Sequence, residues 1–276
     1  MMVLSNLSLS PVLTQLNSQI LNPFGLVLNT KEEFRDLHLL SVAELRNLVW
    51  EHRFIILRGF SQLELEELSN YCQSWGELLT WDFGTVLDVI VQENPQNYTF
   101  TNGNMPFHWD GAFAKVVPSL IFFQCVVAPT PGSGGETTFC DTTKVWEKAT
   151  PQQRQIWQQT KITYKTQKLA HYGGQISTNL VSQHPVTGVP ILRFAEPLNE
   201  ESVNLNPLFL EIPGLSLPER DQLIEDLQKR LYNPENFFAH QWQTGDILIA
   251  DNHVLLHGRN PFFSHSSRHL QRVHIL

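Results

Sequence analysis

The sequence predicts a mainly β fold with inserted helices, of the double-stranded β-helix or jelly-roll type. After Trp81 the chain changes to short β-branched and aromatic runs separated by Asn, Gly and Pro, a pattern typical of a sheet sandwich or barrel. Two segments with helical spacing interrupt these runs, one after Thr150 and one from Pro218 to about Tyr232. We therefore expect helices on the surface of a sheet structure.

The elements follow one another in a clear order. Apolar residues spaced three and four apart predict a helix from Ser41 to Glu51, followed by a strand at Phe54–Leu57. A second helical pattern occupies the segment LELEELSNYCQSWGEL. Proline in the first turn supports the helix that begins near Pro218. The later strands are predicted at DVIVQEN, SLIFFQCVVAP, TTFCDT and VPILRF.

Length and composition favour one globular domain over residues 1–276. Hydrophobic residues make up 42% of the chain, with 17 Phe and 7 Trp, which is enough for a large core and an aromatic-lined pocket. The sequence has no internal repeat and no linker that would separate two domains. Cys72, Cys125 and Cys140 form an odd set without a C-x-x-C spacing, so we expect buried reduced thiols.

The charge pattern excludes several classes of partner. The net charge is −8 with only 19 Lys and Arg, and no basic cluster provides the surface that nucleic acid needs. No apolar run approaches the roughly 20 residues that span a bilayer. The first positive charge is Lys31, so the start lacks the basic region of a secretory signal. We expect a cytoplasmic protein with a small-molecule substrate and no membrane contact. The sequence does not decide whether the protein forms a homo-oligomer.

A metal site is predicted at the segment NMPFHWDGAF. On a strand, the spacing of His108 and Asp110 points both side chains to one face. An H-x-D motif alone is weak evidence, so a third ligand is needed. His257 follows a buried strand and a turn in WQTGDILIADNHVLLHG, and we take it as that ligand. Two imidazoles and one carboxylate on one face of Fe(II) leave adjacent positions open for a 2-oxo acid and O2.

Other histidines have simpler interpretations. A single histidine is more often a core or surface residue than a ligand. His253 and His257 have a spacing that on a helix would suggest zinc, but GDILIADN predicts a strand and a turn. No role is assigned to His171, His184, His240, His265, His269 and His274.

Most of the chain resembles the TauD/TfdA-like family of Fe(II)/2-oxoglutarate-dependent dioxygenases. The matching blocks are in the family's order: LRNLVWEHRFIILRGF, FHWDGAF, GGETTFCD, QHPVTGVPIL, WQTGDILIADN, HGRNPF and SRHLQRVHIL. The resemblance implies that Thr137 and Arg268 hold 2-oxoglutarate, and that Arg272 reaches either the primary substrate or the neighbourhood of the cosubstrate. The chemistry agrees, because an Arg fork can bind a carboxylate with two parallel hydrogen bonds.

Two positions distinguish this chain within the family. It keeps Asp110, which halogenating relatives replace by a small residue, so hydroxylation, desaturation or oxidative decarboxylation is expected. It has Asp251-Asn-His253 where relatives often have Asp-Asn-Arg, so His253 is a candidate substrate contact or a strand residue.

The aromatic segments are similar to those of the branch that partners isonitrile synthases in bacteria (PvcB/IsnB-like). This implies an amino-acid-derived isonitrile substrate, from tryptophan or tyrosine, that becomes a vinyl isonitrile with loss of CO2. An isonitrile synthase is then the expected pathway partner. Trp81, Phe107 and Phe113 are candidates for the substrate pocket, although each is also suited to the core, and Trp109 should face away from the iron.

Two rival functions stay open from the sequence. The same iron site could hydroxylate another small anion, such as a sulfonate or an amino acid. A jelly-roll protein could also hold a metal or ligand without turnover. The full set of His108, Asp110, His257, Thr137 and Arg268 argues against the second, since a binding protein has no need of open coordination positions.

Overall fold

The computed structural model describes residues 10–30, 35–166, 174–197, 205, 208–263 and 267–276. Strands dominate these ranges, which confirms the mainly β prediction. The strands are β1 (Asn17–Ile20), β2 (Leu26–Asn29), β3 (Phe54–Arg58), β4 (Val86–Ile90), β5 (Met105–His108), β6 (Leu120–Val127), β7 (Thr137–Asp141), β8 (Lys161–Thr166), β9 (Gln175–Asn179), β10 (Val181–Gln183), β11 (Pro190–Leu192), β12 (Leu208–Glu211), β13 (Phe237–His240), β14 (Ile247–Asp251), β15 (Leu255–Arg259) and β16 (His269–Ile275). The α-helices are α1 (Pro11–Thr14), α2 (Val42–His52), α3 (Leu65–Gln73), α4 (Thr142–Glu147), α5 (Pro151–Gln159) and α6 (Leu217–Leu231).

Two sheets form the centre of the described structure. The larger sheet has seven strands in the order β1-β2-β3-β14-β6-β16-β4, and the smaller has four in the order β13-β7-β15-β5. Neighbours pair antiparallel in both sheets, apart from the parallel pair β2 and β3. Two peripheral sheets have the orders β12-β8-β9 and β10-β11.

The central strands of the seven-stranded sheet are buried on both faces. Alternate side chains of a strand point to opposite faces, so Ile55 and Ile249 join one core cluster, with helices α2 and α3. Phe54 and Leu248 point the other way and meet Phe139 of the four-stranded sheet. This accounts for the nearly continuous apolar sequence of the central strands.

The opposite side of the four-stranded sheet is covered by helices. Phe107 and Leu256 of this sheet belong to a third core cluster with Trp157 of α5 and Leu227 of α6. Burying a large apolar side chain contributes about 1.5–3 kcal/mol. The helices inserted between strands therefore cover the sheet that carries two of the predicted metal ligands.

Two helix starts agree closely with the sequence signals, whereas α3 (Leu65–Gln73) is shorter than the helical pattern predicted for LELEELSNYCQSWGEL. α2 begins at Val42, one residue after the predicted start, because the Ser41 hydroxyl accepts a hydrogen bond from Glu44 N. α5 begins after Thr150, which forms a reciprocal capping box with Gln153. The three cysteines are buried and free, as predicted. In the part of the chain that the structure describes, no helix has the length and apolar character needed to cross a membrane.

A buried ion pair joins β3 to the turn before β14. Arg58 donates from Nε and Nη2 to both carboxylate oxygens of Asp246, at 2.7 and 2.8 Å. Asp246 is fully buried and also accepts from Gln243 N. Burial raises the pKa of Asp246, but His240 and Arg58 outweigh it, so the net shift of the pKa is downward. The pair fixes the start of the strand that leads to the site.

We expect Arg58→Met to destabilise the protein by about 3 kcal/mol, the low end for breaking a buried ion pair, because Arg58 is partly exposed. Since the folded pKa of Asp246 lies below its unfolded value, the wild-type contribution is present above the unfolded pKa and is lost as pH falls through the folded pKa. Urea unfolding at neutral pH and below pH 4 measures both effects. A wild-type-like unfolding curve for Arg58→Met at neutral pH would contradict this role.

Candidate active site

Strands β5 and β15 bring the two predicted histidine ligands together. The strands pair with His257 directly opposite His108, and the two ring centroids are 4.3 Å apart. The Asp110 carboxylate lies beside both, with Oδ1 3.7 Å from His108 Nε2 and Oδ2 3.5 Å from His257 Nε2. β5 ends at His108, so the prediction that Asp110 shares its strand is wrong: Asp110 begins a turn. That turn still directs its carboxylate to the histidines.

The ionisation of these groups suits a divalent metal. Burial, and next the neighbouring His257, lowers the pKa of His108 to about 4, so the imidazole is neutral. Burial raises the pKa of Asp110, but Arg272, His257 and His274 outweigh it and hold the pKa well below its usual range. The site therefore offers a neutral His108 imidazole and one negative carboxylate.

Ligand atoms of His108, Asp110 and His257 lie within 4.8 Å of one another, as a shared metal requires. His257 Nε2 is buried without a hydrogen-bond partner among the described residues, which is a costly state for a polar atom unless something binds it. His108 Nδ1 lies 2.9 Å from the carbonyl oxygen of Pro106. A bond to this acceptor leaves Nε2 with its lone pair facing the cluster. Two histidines and one carboxylate are the donor set of non-haem Fe(II) oxygenases, and the residues fit that metal.

Asn252 fixes the backbone of Asp110. Its Oδ1 accepts from Asp110 N, and its Nδ2 donates to the carbonyl oxygens of Asp110 and Pro118. The side chain is almost fully buried. Sequence analysis noted the Asp-Asn-His segment but did not assign this residue. Its signal was a polar amide directly after a buried strand.

A buried carboxylate holds the strand that carries His108. Glu196 Oε1 accepts from Phe107 N and from the Tyr232 hydroxyl, each at 2.8 Å. Oε2 accepts from Gln228 Nε2 of α6. Burial raises the pKa of Glu196 despite these donors. Glu196 therefore connects β5 to α6, and no local motif marks it because its partners lie far away in the chain.

The three candidate ligands open into a large cavity of about 420 Å³. Its lining includes the predicted cosubstrate residues Thr137 and Arg268. The lining also includes the predicted substrate residues Arg272, Trp81, Phe107 and Phe113. Phe107 is fully buried and also belongs to the core cluster beneath the helices, while Trp81 stacks on Phe83. The prediction that Trp109 faces away from the iron is not confirmed: its ring packs edge-on against Tyr164, and both residues line the same cavity as the candidate ligands.

Arg268 is a buried cation that has no acidic partner among the described residues. Its Nε donates to the carbonyl oxygen of Gly135 at 2.9 Å, and its Nη2 donates to Thr137 Oγ1 at 3.2 Å. No carboxylate of the described residues lies within ion-pair distance of Arg268. Burial, and next Arg259, lowers the pKa of Arg268 to about 9, so it is still charged at neutral pH. A buried cation of this kind is suited to an anionic ligand.

Gly135 has a steric role at this arginine. Its φ is +84°, and a Cβ there would lie 3.2 Å from Arg268 Cδ. A side chain would thus be strained and would press on the guanidinium stem. The glycine pair in GGET allows the backbone carbonyl to approach Arg268.

Thr137→Val is expected to destabilise the protein by about 1–3 kcal/mol and to weaken 2-oxoglutarate binding. The Thr137 hydroxyl oxygen accepts from Arg268 and also from Trp242 Nε1 at 3.0 Å, so valine leaves two buried donors without their acceptor. Urea unfolding and calorimetric titration measure the two effects. The control Thr137→Ser keeps the hydroxyl and should retain most of the stability and most of the affinity for 2-oxoglutarate. Equal losses of stability and affinity in the serine and valine variants would contradict the hydrogen-bonding role.

Arg272 and His274 both bind one oxygen of Asp110. Arg272 Nη1 donates to Asp110 Oδ2 at 3.0 Å, and His274 Nε2 lies 2.8 Å from the same oxygen. Arg272 Nε is buried without a partner among the residues described. His274 was left unassigned from the sequence, and no local motif marks it: only the pairing of β16 with β4 and β6 places it here.

His253 does not line the large cavity, so its prediction as a substrate contact is wrong. Its Nδ1 contacts Arg193 Nη2, and its ring packs edge-on against His184 at 5.4 Å. It borders a separate small cavity near Trp50. The turn after β14 directs His253 away from the ligands, because Asp251 Oδ1 accepts from His253 N.

Other histidines have acidic partners outside the ligand cluster, as expected for structural residues. His184 Nε2 lies 2.9 Å from Asp251 Oδ2, and His269 Nε2 lies 2.7 Å from Oδ1 of the exposed Asp88. His240 lies 3.2 Å from the buried Asp246. His171 and His265 lie outside the described residues.

Comparison with known proteins agrees with this geometry. The model of the family described as taurine catabolism dioxygenase TauD, TfdA family matches residues 20–274. A protein of Fischerella ambigua named 3-((Z)-2-isocyanoethenyl)-1H-indole synthase is 62% identical over 262 residues, covering 95% of this chain and 96% of the relative. Tyrosine isonitrile desaturase of Erwinia amylovora is 37% identical and covers 91% of this chain and 87% of the relative.

Solved structures give the same picture. PvcB of Pseudomonas aeruginosa superposes with a TM-score of 0.80 at 33% identity, covering 95% of this chain and 91% of that one. A second PvcB structure, with a TM-score of 0.79, is described as an Fe, alpha-ketoglutarate dependent oxygenase from an isonitrile synthetic pathway.

Proposed function

Because this chain belongs to the taurine catabolism dioxygenase TauD, TfdA family and is an Fe(II)- and 2-oxoglutarate-dependent oxygenase, we propose that it converts a tryptophan-derived isonitrile into a vinyl isonitrile. The observation that carries this proposal is 62% identity, over 95% of the chain, to a relative named for an isocyanoethenyl indole product. Identity to the tyrosine isonitrile desaturase is only 37%. The indole substrate is therefore the better supported of the two.

His108, Asp110 and His257 hold the Fe(II) in this proposal. Their ligand atoms form one compact cluster, and the unpartnered Nε2 of His257 faces it. Bound Fe(II) supplies, with 2-oxoglutarate and O2, the oxidising power for removal of hydrogen from the substrate. The chain's own contribution is to fix three ligands through β5, β15 and Asn252.

Arg268 and Thr137 bind 2-oxoglutarate. The guanidinium holds the distal carboxylate, because it is a buried cation without an acidic partner in the described structure, and Thr137 orients its Nη2. A fixed fork of this kind can form two parallel charge-assisted bonds to a carboxylate. The cosubstrate also removes the cost of leaving that cation buried alone.

Arg272 binds the carboxylate of the isonitrile substrate. Its Nη1 is held by Asp110, while its buried Nε has no partner among the described atoms. Trp81 and Phe113 in the same cavity supply apolar surface for an aromatic ring. A substrate held in this way places its benzylic carbon and its carboxyl-bearing carbon in the cavity that the ligands border.

The overall reaction balances without a further redox partner. The substrate is oxidised by two electrons: the benzylic C–H bond and the C–carboxylate bond break, and a C=C bond forms between the two carbons. The two electrons, the hydrogen from the benzylic carbon and one proton from solvent reduce one oxygen atom of O2 to water. The carboxyl group leaves as CO2. One molecule of O2 is consumed with 2-oxoglutarate, which yields succinate, a second CO2 and water. Desaturation with the carboxyl group retained would release only the CO2 from 2-oxoglutarate.

We also propose that the two central sheets form a double-stranded β-helix within one domain over residues 1–276. The facing of a seven-stranded and a four-stranded sheet over one apolar cluster supports this. An isonitrile synthase is the expected pathway partner, since the substrate needs an enzyme that installs the isonitrile group. A homo-oligomer is compatible with this function but is not required by it.

The decisive experiment is a substrate panel with Fe(II)-loaded protein, 2-oxoglutarate and air. The panel contains tryptophan-derived isonitrile, tyrosine-derived isonitrile, free tryptophan and taurine, with succinate, CO2 and organic product measured by mass spectrometry. We expect substrate-dependent succinate and a vinyl isonitrile with the indole substrate, at two CO2 per turnover. Succinate release that depends on taurine or tryptophan instead would support hydroxylation of another small anion. Metal binding with no turnover of any substrate would favour the non-catalytic binding protein.

A further inference from the structure

The last strand carries a row of polar side chains into the cavity. Alternate residues of a strand share a face, and on β16 this face includes Arg272 and His274, which both line the cavity. Val273 and Ile275 point to the opposite face and belong to the apolar cluster under α2 and α3. His274 is 2% exposed, so its position is set by packing and by its two ring nitrogens.

The hydrogen bonds of His274 define which nitrogen carries the proton. Trp81 Nε1 lies 3.0 Å from His274 Nδ1, and an indole N–H can only donate. His274 Nδ1 must therefore be the accepting nitrogen of a neutral ring, and the proton is on Nε2. That N–H donates to Asp110 Oδ2 at 2.8 Å. Trp81, His274 and Asp110 thus form a chain in which every donor and acceptor has a fixed direction.

This chain determines which oxygen of Asp110 is left for a metal. Oδ2 already accepts from His274 and from Arg272 Nη1. Oδ1 lies 3.7 Å from His108 Nε2, which is too far for a hydrogen bond. Oδ2 also lies 3.5 Å from His257 Nε2, so both carboxylate oxygens border the ligand cluster. The two donors therefore restrain rotation of the carboxylate and leave Oδ1 as the oxygen without a hydrogen-bond donor among the described residues.

We propose that Trp81 and His274 are positioning residues that orient the Asp110 carboxylate for monodentate metal binding. This inference rests on the metal role proposed above for Asp110, but not on the identity of the substrate. Hydrogen-bond partners of metal ligands fix ligand orientation, and their loss typically weakens metal affinity by about 10–100-fold. Trp81 is itself a wall of the substrate cavity, so the same side chain shapes the pocket and holds the ligand chain.

The position of His274 distinguishes a positioning role from two alternatives, a fourth metal ligand and a residue that only fills space in the core. It lies outside the cluster of potential ligands formed by His108, Asp110 and His257, and its protonated Nε2 faces a carboxylate oxygen. It is therefore not a fourth metal ligand. A purely structural role would require only the packing of the ring, which an apolar residue of similar size supplies.

The test measures metal binding to the metal-free protein with Co(II) alone, an air-stable substitute for Fe(II) in such sites. The variants are His274→Leu, His274→Gln and Trp81→Phe. Leucine removes both hydrogen bonds, glutamine offers one acceptor and one donor in their place, and phenylalanine keeps a ring without the N–H. The matched control is His269→Gln, on the same strand and also paired with an aspartate, but outside the cavity.

We expect the Co(II) dissociation constant to rise by about 10–100-fold in His274→Leu. It should stay close to wild type in His274→Gln and His269→Gln, and fall between these values in Trp81→Phe. The visible absorption of bound Co(II) should change in His274→Leu and Trp81→Phe, because the carboxylate is free to rotate. Circular dichroism establishes folding, and Trp81→Phe carries the test where His274→Leu does not fold.

Three outcomes would overturn the inference: wild-type affinity and spectrum in folded His274→Leu, wild-type values in Trp81→Phe, or an equal loss in His269→Gln. Failure of the proposed function is distinguishable from these. Wild-type protein that binds Co(II) but does not use any isonitrile refutes the substrate and leaves the positioning test intact. Wild-type protein that binds no Co(II) refutes the metal role and the positioning role together.

Discussion

Asp110→Ala is expected to abolish turnover and also to destabilise the metal-free protein. The variant lacks one of three ligands, so the metal is held weakly. It also leaves Arg272 as a buried cation without its carboxylate, since both side chains are mostly buried. Removing one partner of a buried ion pair costs about 3–5 kcal/mol. Urea unfolding of the metal-free variant measures this loss, and succinate release measures turnover.

The double variant Asp110→Ala/Arg272→Met is the control for that prediction. It removes both charges, so the metal-free protein should recover much of the lost stability, while turnover remains absent. The coupling between the two substitutions should be large, because the residues are in direct contact. Metal-free Asp110→Ala with wild-type stability would contradict the ion pair, and wild-type turnover would contradict the ligand role.

Arg268→Met is expected to weaken 2-oxoglutarate binding by about a hundredfold or more without a comparable loss of stability. A charge-assisted hydrogen bond contributes about 1.5–3 kcal/mol, so a two-bond pair exceeds the roughly 3 kcal/mol that corresponds to a hundredfold. Arg268→Met also removes the hydrogen bonds to Gly135 O and Thr137 Oγ1, but it removes at the same time a buried cation that has no acidic partner among the described residues, so the net change in stability should be small. Calorimetric titration with 2-oxoglutarate and urea unfolding give the two values.

Arg259→Met provides the matched control, because Arg259 is as buried as Arg268, each at 6% exposure. Arg259 also borders the cavity, but it donates to the partly buried carbonyl oxygens of Thr99 and Gly103, so its loss leaves two backbone acceptors without this donor. We expect this variant to lose stability and to retain more of the affinity for 2-oxoglutarate. The opposite pattern in the two arginine variants would contradict the assignment of the cosubstrate to Arg268.

Much of the fold was predictable because its elements carry local signals. The Ser41 and Thr150 caps fix helix starts to within a residue of the prediction. The apolar runs of β3 and β14 predict buried strands because both faces of their sheet are covered. The order of strands in the sheets was not predictable, since β3, β14, β6 and β16 are neighbours that lie far apart in the chain.

The candidate site was also predictable in part: residues within local motifs were found, and residues with distant partners were not. His108, Asp110 and His257 were predicted from motif spacing, Thr137 and Arg268 from the family resemblance, and all five line one cavity in the structure. The residues that hold them were missed. Recognition of His274, Asn252 and Glu196 requires knowledge of partners 89 to 164 positions away.

His253 illustrates the reverse error. The sequence has His253 where relatives often have Arg, and this difference suggested a substrate contact. The turn that follows β14 depends on a backbone hydrogen bond to Asp251 Oδ1, and the ring is held by Arg193 of another segment. Sequence spacing defines neither of these directions, so it could not show that the side chain leaves the cavity.

The central claim is that His108, Asp110 and His257 hold Fe(II) in a site where 2-oxoglutarate chelates it. The most direct test is anaerobic titration of the metal-free protein with Fe(II) and 2-oxoglutarate, following the weak visible charge-transfer band of the keto-acid chelate. We expect the band in the wild type and in the His269→Gln control, and its loss in His257→Ala. A band of wild-type intensity in His257→Ala, or no band in wild-type protein that binds iron, would contradict the account.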